Sequence, residues 1–185
     1  MPLYLRSGYD LGIQIFTDAS HASDPDTRRS IIGFVVKVAG NTVAWSAQFS
    51  RIVSHSSCES ELMALDRGVT ISQYVGWIIE LLGPRILKDV TAIFIDSQSA
   101  LDLSRNPIQP GRNLHIHARF FYVRDLLIAG AFALCKISSG NQIADVIVTF
   151  KGSDIYHYLL KLVMGCAKAV PNEKGEIEWD TSLLL

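Results

Sequence analysis

The chain has 185 residues, 49 % of them hydrophobic and 19 % charged, with a formal net charge of −1. That length and composition suit one domain with a full core and exclude an intrinsically disordered chain. The near-zero charge excludes a global electrostatic signature of nucleic-acid binding, so any such binding needs a local basic strip. Cys58, Cys135 and Cys166 are widely spaced and form no CxxC pair, which points to a reducing compartment. No apolar run is long enough to span a bilayer, and MPLYLRSGYD lacks the pattern of a secretory signal. The expected location is therefore intracellular: cytoplasmic, nuclear or within an organelle.

In chain order, LGIQIFT (Leu11–Thr17) alternates and is β-rich, so it reads as a strand. The polar stretch SDPDTRRS reads as a turn. Ile31–Val38 and Thr42–Ser46 read as two strands joined at Ala39-Gly40-Asn41. A long helix is expected from Cys58 to Leu82, with Ser56 and Glu59 as a capping box and Gly83-Pro84 as its stop. Its apolar spacing runs through Leu62, Leu65, Val69 and Gln73, then Ile78, Ile79 and Leu82. Val90–Ile95 is continuously apolar, as a strand buried on both faces would be.

Ser97–Ser104 reads as a short helix, Leu114–Ala129 as a longer one and Ala131–Ile137 as a strand. Gln142–Phe150 and Asp154–Lys168 read as helices. The remainder, VPNEKGEIEWDTSLLL, carries no motif. Trp45 and Trp77 read as core residues rather than stacking platforms. The order implies an α/β fold: a mixed five-stranded sheet, a three-strand antiparallel meander plus parallel strands, with helices on both faces. The expected organisation is one domain over residues 1–170 and a C-terminal tail over 171–185.

Four carboxylates stand in separate segments that this order could bring to one point: Asp18, Glu61, Asp96 and Asp145. Clustered hard oxygen ligands at the mouth of a sheet suit a pair of Mg²⁺ ions, which would clamp the attacking and leaving oxygens of a phosphodiester. Each acid has a plainer reading. Asp18 fits a turn after a strand, Glu61 a residue favouring the helix dipole, Asp96 an N-cap for the helix at Ser97, and Asp145 a solvated helix residue. Glu59 competes with Glu61; the capping box takes Glu59 and leaves Glu61 to the metals.

The stretches TDASHA, DPDTRRS, AWS, SSCESEL, IDSQSA, LHI and ADVIVT occur in that order between Leu11 and Phe150. Together they resemble the ribonuclease H domain of copia-type LTR retrotransposon polyproteins, whose pattern runs T-D-A-D-W, D-P-D-T-R-R-S, S-W-S, S-S-T-E-A-E-Y, C-D-N-Q-S-A, K-H-I and A-D-I-L-T-K. The resemblance implies a ribonuclease H-like fold and cleavage of the RNA strand of an RNA–DNA hybrid. It implies Mg²⁺, or Mn²⁺ in its place, on Asp18, Glu61, Asp96 and Asp145 as catalytic and metal-binding acids. Arg28, Arg29, Ser97, Gln98, Arg112 and His115 become candidate substrate contacts. Implied partners are the hybrid, a reverse transcriptase where the domain sits in a polyprotein, and other proteins of an assembly. The chain departs from the pattern at Ser20 and His21 (aspartate and tryptophan in the family), at Ala47 and Gln48 (a basic pair), at Leu114 and at Phe150 (lysines). These losses touch phosphate contacts more than acids. They keep a second class open: a domesticated, non-catalytic subunit of a larger assembly.

Overall fold

The computed structural model describes residues 12–82, 91–105, 117–149, 152–165 and 167–180. Five strands form the main sheet: β1 (Ile13–Ser20), β2 (Ile31–Val38), β3 (Asn41–Phe49), β4 (Thr91–Ile95) and β5 (Phe132–Lys136). Their spatial order is β3-β2-β1-β4-β5. The β1–β2 and β2–β3 pairs are antiparallel and the β1–β4 and β4–β5 pairs parallel, so the sheet is mixed as the sequence predicts.

Strand alternation separates two cores. Ile13 and Ile15 of β1, with Val36, Val38, Ile93 and Ile95, face α1 (Ser57–Leu82), α2 (Gln98–Arg105) and α3 (His117–Ile128). Phe16, Val35 and Phe94 face the other way, onto α4 (Asp145–Val148) and α5 (Ser153–Met164). β4 is buried on both faces because it sits between β1 and β5 under both layers.

The β2–β3 turn is a two-residue loop between the paired Val38 and Asn41. Ala39 (φ 50°) and Gly40 (φ 75°) take the two positive φ angles that a type I′ turn requires. Alanine resists that conformation; hydrogen bonds to Gly40 O from Lys37 Nζ (3.0 Å) and Ala167 N (3.1 Å) hold the turn.

Several expectations need correction. The helix expected over Gln142–Phe150 shrinks to the four residues of α4, and α5 stops at Met164. The stretch without a motif contributes strand: β6 (Lys168–Pro171) and β7 (Ile177–Asp180) pair antiparallel. This hairpin packs on the α5-side core, with Trp179 stacked on Phe16 at 5.1 Å between ring centroids. Trp45 and Trp77 lie outside the core, 66 % and 58 % exposed. Trp45 sits on the edge strand. Trp77 lies off the buried face of α1, to which Ile79, two residues further on, still belongs. Gln73, read as part of the buried stripe, is exposed and accepts a bond from Tyr122 Oη of α3 at 2.6 Å. Leu11, the Gly83-Pro84 stop, Val90, Leu114 and Phe150 lie outside the described residues.

Candidate metal centre

The β1–β4 pair is parallel, so both strands deliver their carboxyl ends to one edge of the sheet, where open α/β sheets place ligands. Asp18 lies near the end of β1 and Asp96 follows the last residue of β4. Glu61 comes from the second turn of α1, whose start is fixed by a cap. Ser56 Oγ accepts from Glu59 N at 3.1 Å, and the Glu59 carboxylate accepts from His55 N at 2.6 Å. The return bond thus goes one residue earlier than in a standard capping box. Glu59 is committed to the cap, and Glu61 faces the strands.

Two glycines set the approach. A Cβ on Gly68 would overlap Thr17 Cγ2, so α1 lies on β1 closely only because Gly68 has none. A Cβ on Gly33, the ladder partner of Asp18, would overlap Val148 Cγ1 of α4. Those contacts bring Glu61 and Asp145 in from opposite faces.

Carboxylate oxygens of Asp18, Glu61 and Asp96 all lie within 4.8 Å of one another. Asp145, the first residue of α4, is buried beside them and shares a side-chain hydrogen bond with Asp18. Burial, then the charges of Asp145 and Asp96, then that hydrogen bond push the Asp18 carboxyl up to about 8. Burial, then Asp18, Asp96 and Asp145, push Glu61 up to about 9. The Ala19 backbone N–H opposes both shifts by favouring the ionised forms. Glu61 Oε2 is buried and accepts no hydrogen bond among the described residues. A half-buried set of mutually repelling oxygens with an orphaned lone pair fits a divalent cation, which would neutralise the repulsion and fill the missing contact.

The other predicted residues are placed as follows. Arg28 and Arg29 are exposed on the β1–β2 loop, which leaves β1 at the acid end. Asp24 organises this loop, its carboxylate accepting from Thr27 N at 3.3 Å and its backbone O from Arg28 N at 2.9 Å. Ser97, not Asp96, caps α2: Ala100 N donates to Ser97 Oγ at 3.3 Å. The Gln98 amide donates to Asp102 Oδ1 on its own helix at 2.8 Å. Arg112 and His115 lie outside the described residues.

Residue-by-residue reading missed the support around the acids. Ser139 Oγ donates to Asp96 Oδ2 at 2.7 Å, and Lys136 Nζ donates to Asp96 O. The side chain of Gln142 is buried against the strand ends. Lys136 ends β5, Ser139 and Gln142 lie between β5 and α4, and nothing in the local sequence pattern marks any of the three.

Sheet order, the two helical layers and an acid cluster at the β1/β4 edge define the class: this is a ribonuclease H-like domain. Solved structures of that fold superpose on it. LC11-RNase H1 isolated from compost matches with a TM-score of 0.55 and 17 % identity, covering 81 % of this chain and 99 % of that one. Its complex with an RNA/DNA hybrid matches at 0.51, covering 74 % and 93 %. The N-terminal RNase H domain from Mycobacterium tuberculosis, solved as a fusion with maltose binding protein, matches at 0.52 and 15 % identity, covering 82 % and 97 %.

In sequence, the homologues are retrovirus-related Pol polyproteins from copia-type transposons. The chain is 28 % identical over 140 residues to that of transposon TNT 1-94 from Nicotiana tabacum, and 26 % identical over 145 residues to that of RE1 from Arabidopsis thaliana. These alignments take in 76 % and 78 % of this chain but 10 % of either polyprotein, so the chain spans about a tenth of the length of these curated relatives. No protein-family model matches the chain.

Proposed function

We propose that this domain is a divalent-metal-dependent endonuclease that hydrolyses the RNA strand of RNA–DNA hybrids and derives from a retroelement polyprotein. The observation that carries the proposal is the convergence of Asp18, Glu61 and Asp96 oxygens within 4.8 Å. Support comes from the hybrid seen bound to a ribonuclease H of the same fold, and from homology to Pol polyproteins.

Asp18, Glu61 and Asp96 would hold the cations, with Asp145 beside them. Mg²⁺, or Mn²⁺ in its place, supplies Lewis-acid stabilisation of the charge that develops on the phosphate during attack. The protein's own part is positioning. Ser139 fixes Asp96 by donating a hydrogen bond to its Oδ2. Arg28 and Arg29 offer charge to the nucleic-acid backbone on the acid side of the sheet. Ser97, Gln98, Arg112 and His115 are carried over by resemblance as further substrate contacts. RNA would be told from DNA by its 2′-hydroxyls.

The test is incubation of a 5′-labelled hybrid with the protein and Mg²⁺, beside Asp96→Asn. The expected result is Mg²⁺-dependent RNA-strand products from the wild type and at least a ~100-fold loss in the variant. No product, or equal product from Asp96→Asn, would refute the proposal.

A non-catalytic role in a larger assembly is the second reading. One observation favours it: Tyr74, Trp77 and Leu81 are exposed at helical spacing along α1, as an apolar stripe for a protein partner would be. A well-folded protein that binds hybrid weakly and yields no product would favour that reading.

A further inference from the structure

The β1–β4 ladder ends at Phe16 and Phe94, two residues before Asp18 and Asp96. Beyond that rung the two strands have no further backbone partner in each other. Gln142 stands in the gap. Its side-chain Nε2 donates to Thr17 O at 3.0 Å and to Phe94 O at 3.4 Å, while its Oε1 accepts from Ala144 N at 3.3 Å. The residue is 0 % exposed. Thr17 precedes Asp18, and Phe94 stands two residues before Asp96. The amide therefore acts as one more rung, made by a side chain, at the place where the strand ends set the spacing of two metal-facing carboxylates.

The loop that carries Gln142 is itself held. Asn141 Nδ2 donates to Ile177 O at 3.1 Å, and Trp179 Nε1 donates to Asn141 O at 3.1 Å. Both partners belong to β7, and Trp179 is anchored by its stack on Phe16. Three residues beyond Gln142, the same segment delivers Asp145.

We propose that Gln142 is a positioning residue for the acid centre: it fixes the separation of Asp18 and Asp96 by bridging the ends of β1 and β4, and the C-terminal hairpin holds it there through Asn141. The inference rests on the metal-dependent reading of the site. Its chemistry needs no titration of Gln142, because a carboxamide is the side chain that can donate two bonds from one nitrogen while its oxygen accepts.

The full chain is compared with Gln142→Leu, close in volume but without the amide, and with Trp179→Phe, which keeps the stack and removes the donor to Asn141. Three quantities are read: Mn²⁺ affinity by calorimetry, the Mg²⁺ midpoint for hybrid cleavage, and KM for hybrid at saturating Mg²⁺. Gln142→Leu should weaken Mn²⁺ binding and raise the Mg²⁺ midpoint by about 10-fold, as loss of an outer-shell partner does. At saturating Mg²⁺ kcat should fall by up to ~100-fold, with KM for hybrid within about twofold. Trp179→Phe should move the same quantities in the same direction by about threefold, and it decides the matter if Gln142→Leu does not fold. Unchanged Mn²⁺ affinity and Mg²⁺ midpoint in a folded variant overturn the inference while the nuclease reading stands. A wild type that cleaves nothing overturns the nuclease reading, and calorimetry then decides the inference alone. A wild type that binds no Mn²⁺ overturns both.

Discussion

Asp18 and Glu61 are the acids whose protonation the fold shifts upward. Both carboxyls, ordinarily near 3.8 and 4.5, are pushed up to about 8 and about 9, by burial first and by neighbouring acids second. The folded state thus holds protons that the unfolded chain releases. The resulting stabilisation is full below the ordinary values and is lost as pH rises through 8 to 9. Melts in EDTA should therefore show the metal-free protein losing stability from about pH 5 to pH 9. Millimolar Mg²⁺ should restore the loss, most at the alkaline end. A Tm in EDTA that is flat or rises with pH would contradict this.

Among the acids, Asp18, Glu61 and Asp96 were legible from sequence because each stands at a recognisable boundary: a strand end, a capped helix start, a second strand end. The choice of Glu61 over Glu59 followed from cap chemistry, since a glutamate three residues after Ser56 is claimed by the helix start. Ser139, Lys136 and Gln142 were not legible. Their partners are 43, 40 and 125 residues away, and local pattern carries no sign of such pairings.

At the scale of elements, the site depends on how closely α1 and α4 approach the sheet. Gly68→Ala should force α1 off β1 at Thr17. We expect a loss of about 1–3 kcal/mol in denaturant unfolding, with weaker divalent-ion binding because Glu61 moves with the helix. Unaltered ion affinity in a destabilised Gly68→Ala protein would separate helix packing from the site. Ser56→Ala removes the bond that starts α1 and should cost about 1 kcal/mol, read by the same unfolding curves.

β1 was legible from its alternation, α1 from its capped start and the helical spacing of its first half, and the short β4 from its continuous apolar run. The second half of α1 was misread at Gln73 and Trp77. Both stand beside the buried face of α1 rather than on it, since Ser72 and Ile79 on either side of them remain buried. α4 and the β6–β7 hairpin escaped because four-residue segments are too short to show a period.

For the whole molecule, two cores share one sheet, and the C-terminal hairpin closes the second of them. Trp179→Ala removes the ring stacked on Phe16 and the bond to Asn141. It should lower global stability by about 3 kcal/mol, seen as a fall in Tm that Mg²⁺ only partly reverses. A Tm within a degree of wild type would show the hairpin to be dispensable. Among the described residues no helix is long and apolar enough to cross a membrane. The exposed Tyr74, Trp77 and Leu81 on α1 stand away from the N-terminal turns that supply Glu61, so a partner could cover them without closing the acid edge.

The central claim is that Asp18, Glu61 and Asp96 share divalent cations. The direct test is a crystal of the protein soaked in Mn²⁺ and measured at an anomalous wavelength. The account predicts one or two anomalous peaks bridging those three side chains, with carboxylate oxygens at about 2.0–2.4 Å. An empty acid edge at millimolar Mn²⁺, or peaks bound elsewhere with the three carboxylates apart, would contradict it.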